Sequence, residues 1–295
     1  MGSTAHVVVV GGDPEDLLSY ATRRLRELEF RWTRFDPDST MSRLNHGNGE
    51  PMEVDLDTLA LVARTKDGWA LTNGLFDPTV LPAMVATGYS KSLDANGDSS
   101  AQMDGEYGGP SPGCAAIALD TSSHLVTLPA GVGIDPGGIG KGLAADLVAA
   151  ELIQRAADGA MVNVGGDLRA IGLGPTGRNW VVDIEDPFDE TSYVAMVSIV
   201  EGAIATTTPH HRRWMTAAGP GIHVIDPRTG RPINSDIASV TVLAAHAWMA
   251  EAVTKAVAVA GASDGIEIIE EAGLAGLLVT ADGDIRLSAR MGAFL

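Results

Sequence analysis

The sequence predicts an α+β fold. Strand-like runs rich in β-branched residues are intermixed with helical periodicities, without the regular strand–helix alternation that builds a parallel sheet. No internal repeat recurs at a fixed period. The 295 residues, 45% hydrophobic and 20% charged, suffice to bury a large core. Aromatics are sparse at 5%, so that core must rest on Ala, Val, Leu and Ile.

Residues 6–10 read as the first strand. Residues 14–35 read as a helix, because Leu17, Leu18, Ala21, Leu25 and Leu28 recur at helical spacing and Asp13 stands where a cap belongs. Residues 36–45 are turn-rich, and a second helix is expected over 57–72. Residues 88–113 hold few apolar side chains and many turn formers, which predicts a mobile surface loop. Strands at 115–119 and 125–128 should pair as a hairpin. A glycine-rich turn over 133–142 runs into a helix over 140–156. Strands are expected at 161–164, 167–171, 180–184 and 193–200, then a long loop over 206–221. A strand at 239–244 and a helix at 247–260 follow. Residues 274–280 and 285–287, joined by Asp282-Gly283-Asp284, read as a closing hairpin.

The net charge of −18 repels nucleic acid and anionic lipid, so no nucleic-acid partner is expected. Any phosphate ligand must then be met by cations or backbone donors gathered in one place. A single cysteine, Cys114, excludes an intrachain disulfide. The run Val7–Val10 has no basic residue before it and is too short for a signal peptide. No stretch of about 18 apolar residues occurs, so no transmembrane segment is expected. The chain reads as soluble and cytoplasmic.

Several segments could carry chemistry. In Gly133-Ile134-Asp135-Pro136-Gly137-Gly138-Ile139-Gly140-Lys141-Gly142, glycines at a helix start leave N–H groups facing outward, and Lys141 adds a full charge. A Walker A loop is excluded: Asp135 stands where its first glycine belongs, and Gly142, not Ser or Thr, follows the lysine. Phosphate recognition remains, against a plain structural turn. His223 to Gly230 brings His, Asp, Arg and Thr together after a strand, or is an ordinary turn at Asp226-Pro227. Glu251 and Lys255 are four apart on one helical face, which alone suggests a surface salt bridge. Gly74-Leu75-Phe76-Asp77-Pro78-Thr79-Val80 offers a fixed turn and a ring for flat packing. His210, His211, Arg212 and Arg213 form a dense cationic patch, most simply a solvated loop.

Taken in order, these segments resemble the ApbE-type FAD:protein FMN transferase family. The resemblance is carried by Met1-Gly2-Ser3, Phe35-Asp36-Pro37-Asp38-Ser39 with Ser42-Arg43-Leu44-Asn45, and residues 74–80 and 135–146. Asn163-Val164-Gly165-Gly166-Asp167 and residues 223–232 complete it. It spans nearly the whole chain. It implies one α+β domain over residues 1–295 with FAD in a central cleft. The positions matching FAD contacts are Met1, Phe35, Leu75, Phe76, Asp77, Asp135, Lys141 and the strand at His223–Val224. His223 matches a catalytic histidine, and His223 or Asp226 would handle the proton. The implied reaction moves the FMN moiety of FAD onto a Ser or Thr hydroxyl of a target flavoprotein and releases AMP. The alternatives are an FAD carrier or regulator without transfer, and hydrolysis of FAD to FMN and AMP. The family's Mg²⁺ is held by a backbone carbonyl, here Gly138, and by Asp and Thr four apart on a late helix. Here those two are Glu251 and Lys255. Glu251 can ligate Mg²⁺, but a protonated lysine cannot. The Lys255 ammonium either replaces part of the metal's charge or pairs with Glu251. Thr254 lies about 100° around the helix and substitutes poorly.

Overall fold

A computed structural model describes residues 3–87, 109–209, 213–216, 219–222 and 224–295. Met1, His210, His211, Arg212, His223 and positions 88–108 of the expected loop lie outside these residues. In chain order the elements begin with β1 (Ala5–Val10), α1 (Pro14–Trp32), α2 (Thr40–Asn45), β2 (Met52–Glu53), α3 (Leu56–Leu71) and α4 (Leu81–Ala86). Next come β3 (Ala118–Asp120), β4 (Leu125–Thr127), α5 (Gly140–Gln154), β5 (Gly159–Val164), β6 (Asp167–Gly172), β7 (Trp180–Asp186), β8 (Asp189–Ile199) and β9 (Gly202–Thr207). The chain continues with β10 (Arg213–Thr216), β11 (Gly219–Ile222), β12 (Ile225–Asp226), β13 (Arg231–Pro232) and β14 (Ile237–Ala244). It closes with α6 (Ala247–Ala260), α7 (Gly265–Glu271), β15 (Ala275–Thr280) and β16 (Ile285–Leu287).

The residues fall into two compact units. One comprises Ser3–Glu27, Lys141–Thr208 and Ser235–Leu295. Its sheet runs β1-β5-β6-β9-β14-β15-β16, and every neighbouring pair is antiparallel. This bears out the α+β expectation. Strand β15 is buried along its whole length and β14 along all but its last residue. Successive side chains alternate across the sheet. On one face, Leu168, Ile204, Leu243 and Leu277 form a core with Trp180, Ile184, Val197 and Ile199 of the β7–β8 ribbon. Helix α6 packs on β6, β9 and β14. Thr207 meets it from the opposite face of β9, where its hydroxyl bonds Thr254 at 2.8 Å.

The other unit comprises Leu28–Gly140 and Pro209–Asn234. It holds a small sheet, β2-β4-β3, and two hairpins, β10–β11 and β12–β13. Asp55 caps α3 by accepting from the N–H of Thr58 at 3.0 Å.

Three expectations need correction. Residues 36–45 are not only turn: Ser39 accepts from the N–H of Ser42 at 3.0 Å, and that cap starts α2. The expected loop over 206–221 instead contains the end of β9 and the antiparallel β10–β11 pair. The helix expected over 14–35 stops at Trp32, although Asp13 does cap it, accepting from the N–H of Glu15 at 3.1 Å. The hairpins expected at 115–128 and 274–287 form as β3–β4 and β15–β16. Among the described residues, no helix is long and apolar enough to cross a membrane.

Candidate functional site

The start of α5 lies against the start of α6. A Cβ on Gly142 would lie 2.5 Å from the carbonyl carbon of Ala247 and 2.7 Å from the nitrogen of Trp248. Both are backbone atoms, so glycine is what permits this approach. One turn further along α5, Asp146 accepts from the N–H groups of Ala247 at 2.9 Å and Trp248 at 3.0 Å. It therefore caps α6 from a neighbouring helix. Burial pushes the Asp146 carboxyl above its usual range, and those two N–H groups oppose the rise. Arg169 Nε lies 3.5 Å from the same carboxylate.

This docking brings Glu251, one turn into α6, to the first turn of α5. Its Oε2 accepts from the N–H of Gly142 at 2.8 Å, and its Oε1 accepts from Lys141 Nζ at 2.6 Å. Lys141 also pairs with Asp167 Oδ2 at the start of β6. Asp167 and Glu251 are fully buried. Burial raises the Glu251 pKa, the Lys141 ammonium pulls it back, and the negative charge of Asp167 adds to the rise. Burial alone would lower the pKa of Lys141, but Asp167 and Glu251 hold it above its ordinary value. The lysine stays charged. The surface pair that the spacing of Glu251 and Lys255 suggests is thus not what forms, because Glu251 points into the protein.

Lys255 Nζ donates to Thr207 Oγ1 at 2.7 Å. The Thr207 hydroxyl donates to Thr254 Oγ1 at 2.8 Å, and Thr254 Oγ1 donates to the Glu251 carbonyl at 2.7 Å. This chain fixes the ammonium through β9 as well as through α6.

The remaining expected residues lie in the other unit. Asp135 Oδ1 accepts from the N–H of Gly137 at 2.7 Å, and its Oδ2 accepts from Arg34 Nε at 3.1 Å. The Asp135 N–H donates to the Pro78 carbonyl at 2.8 Å, tying the glycine turn to residues 74–80. Arg34 also stacks over the half-buried Phe35 ring, 4.2 Å from its centroid. Asp77 Oδ1 accepts from the Thr79 N–H at 2.8 Å and its hydroxyl at 2.6 Å. Burial raises the Asp77 pKa, and Thr79 and Trp69 partly offset it. Phe76 is buried and Leu75 half-buried. Val224 is buried beside β12. Asp226 receives three donors from Arg228: its N–H and Nε at 2.9 Å on Oδ1, and Nη2 at 3.0 Å on Oδ2. Gly138 closes the 3₁₀ turn Pro136–Gly138.

The donor set on α6 does not fit Mg²⁺. That ion asks for about six oxygens in a near-octahedral shell. Both oxygens of Glu251 already accept from nitrogen donors. The residue one turn on presents an ammonium, which has no lone pair to give. Asp167 Oδ1 is buried without a hydrogen-bond partner. One carboxylate oxygen beside a lysine is not an oxygen shell. Among the described residues, no three His, Cys, Asp or Glu side chains gather as a cation site.

Three residues escape a reading of the sequence as parts of this cluster. Asp146 and Asp167 sit inside segments with glycine-turn signatures, and their pairing across the unit is non-local. Thr207 carries no local signal.

A sequence profile of the ApbE family matches residues 1–285. The FAD:protein FMN transferase of Vibrio cholerae is 28% identical over 292 residues, covering 96% of this chain and 86% of that protein. That of Haemophilus influenzae is also 28% identical, covering 95% and 84%. The crystal structure of the ApbE protein from Thermotoga maritima has a TM-score of 0.87 at 25% identity, covering 99% of this chain and 96% of that one. The flavin transferase ApbE from Vibrio cholerae has a TM-score of 0.82 at 26% identity, covering 100% and 96%. With its motifs in order and its fold matched end to end, this chain belongs to the ApbE family.

Proposed function

We propose that the chain transfers the FMN moiety of FAD to a Ser or Thr hydroxyl of a target flavoprotein and releases AMP. The observation that carries this reading is the family match across residues 1–285, with relatives named FAD:protein FMN transferase. The acceptor oxygen attacks the FMN-side phosphorus. The new O–P bond forms as the bond to the AMP phosphate breaks. AMP leaves with the bridging oxygen and its electron pair, and the hydroxyl proton passes to a base.

The chain's own groups suit these tasks. Lys141, held charged between two buried carboxylates at a helix start, is the candidate cation for the pyrophosphate, with the N–H groups of the glycine turn beside it. Phe35, Leu75, Phe76, Asp77, Asp135 and Val224, with Met1, are the candidates for FAD contacts. Asp77 and Asp135 use their carboxylates to hold turns, so their part is to shape backbone. Asp226 is engaged by Arg228, which favours His223 for the proton.

The test has two arms. The protein is incubated with FAD alone, and nucleotide products are separated. It is then incubated with FAD and a redox-chain flavoprotein bearing a short Ser/Thr-containing segment, and the denatured acceptor is examined for covalent flavin fluorescence. Intact FAD in the first arm and a fluorescent acceptor in the second support transfer. FMN and AMP without an acceptor indicate hydrolysis. FAD binding with neither product indicates a carrier.

A further inference from the structure

We infer that Lys255 takes the place of the divalent cation, so that flavin transfer at this site proceeds on tethered ammonium groups and without Mg²⁺. The inference rests on the FAD reading above and concerns how the same site manages charge.

Four observations lead to it. Glu251 offers no oxygen lacking a donor, because Lys141 and the Gly142 N–H occupy both at 2.6 and 2.8 Å. The neighbouring hydroxyl is committed too: Thr254 donates to the Glu251 carbonyl at 2.7 Å and accepts from Thr207 at 2.8 Å. Lys255 follows Glu251 by one helical turn, which puts both on the same side of α6. Its ammonium is anchored by Thr207 at 2.7 Å rather than trailing in solvent. With Lys141, it sets two ammonium groups against the two buried carboxylates of Asp167 and Glu251, a balance that a divalent ion would otherwise supply. A cation placed at Glu251 would meet both as like charges.

The chemistry changes in kind. An ammonium neutralises phosphate oxygens and donates hydrogen bonds to them, but it does not coordinate. It cannot be removed by a chelator. The bond to Thr207 holds the ammonium in place without removing its charge.

The test titrates the whole chain with FAD, following flavin fluorescence, in EDTA and in millimolar Mg²⁺, with FMN as the control. A calorimetric titration with Mg²⁺ alone runs beside it. The expected result is FAD affinity equal within about threefold in the two buffers, preference over FMN, and no heat from Mg²⁺. Lys255→Met should weaken FAD binding at least about tenfold in EDTA while the urea midpoint stays unchanged. Lys255→Thr combined with Glu251→Asp should restore a Mg²⁺ response. A rise in wild-type FAD affinity of about tenfold or more with Mg²⁺ overturns the inference and leaves the flavin reading standing. So does wild-type affinity in folded Lys255→Met. Failure to bind FAD over FMN in either buffer overturns both.

Discussion

Replacing Lys141 by methionine removes the one ammonium that faces both Asp167 and Glu251 while keeping most of the side chain's volume. Glu251 retains the Gly142 N–H, but Asp167 loses the donor on its Oδ2, and its Oδ1 has no partner to begin with. A fully buried carboxylate in that state takes up a proton. Holding a carboxylic acid protonated at pH 7, against a solution value near 3.9, costs about 4 kcal/mol at 1.36 kcal/mol per unit. That agrees with the roughly 3–5 kcal/mol typical of breaking a buried pair by removing one partner. The expected loss of folding stability at pH 7 is therefore about 3–4 kcal/mol, a large share of the 5–15 kcal/mol typical of domains. The sign with pH follows from linkage. The variant's buried carboxyl has a raised folded-state pKa, so its contribution is fully present below the unfolded value and lost as pH rises. The gap between wild type and variant should shrink to about 1–2 kcal/mol at pH 5. Urea unfolding followed by tryptophan fluorescence at both pH values reads this out. Adding Asp167→Asn to Lys141→Met should recover most of the loss. A gap under about 1 kcal/mol at pH 7, or one that does not narrow at pH 5, would refute the account of a buried, charge-paired cluster.

Gly142→Ala should cost about 1–3 kcal/mol, because its Cβ meets the backbone of Ala247 and Trp248 rather than a side chain that can turn away. The same variant should weaken FAD binding, since pushing the two helices apart moves the residue 142 N–H away from Glu251; unchanged stability and binding would show that the helices can separate freely. Cys114 is fully buried, and burial together with the negative charge of Asp77 pushes its thiol up to about 12. It should resist alkylation in the folded protein at pH 8 and react at once in urea. Its unfolded thiol ionises near 9, so this group withdraws stability as pH rises from about 9 towards 12. Rapid labelling without denaturant would place Cys114 at the surface.

What could be read from the sequence was what short-range chemistry determines. Helix α6 matches its expected span because an Ala- and Val-rich run ends at Gly261, whose φ of 89° suits glycine. The closing hairpin was legible because Gly283, at φ 90°, sits in the Asp-Gly-Asp turn. Strand β9 was not, because Gly202-Ala203-Ile204-Ala205 has small residues where β-branched ones usually mark a strand. Helix α4 has six residues, too few to show a period. At the site, Lys141 announced itself by its glycine neighbours. The burial of Glu251 could not, since a Glu and a Lys four apart look alike on a solvated face and in a core. What separates the two cases is α5, 109 positions away along the chain at Gly142.

That distance explains why the charge cluster depends on groups that carry none of its charge. Glu251 faces Lys141 only if α6 starts where α5 starts, and two α5 residues set this. Gly142 permits the approach, and Asp146 fixes its register by holding the first N–H groups of α6. Lys255 is placed differently. It is itself part of α6, and its bond to Thr207 adds a hold from β9. Both lysines therefore depend on α6, Lys141 through Glu251 and Lys255 as part of the helix, while Thr207 adds a hold on Lys255. Replacing Thr207 removes a hold on Lys255 and leaves the α5–α6 contact at Asp146 in place. Both ammonium charges lower the pKa of Glu251, but Lys141 also holds the buried Asp167, which is why the Lys141 variant is expected to lose folding stability as well as FAD binding, and the Lys255 variant FAD binding alone.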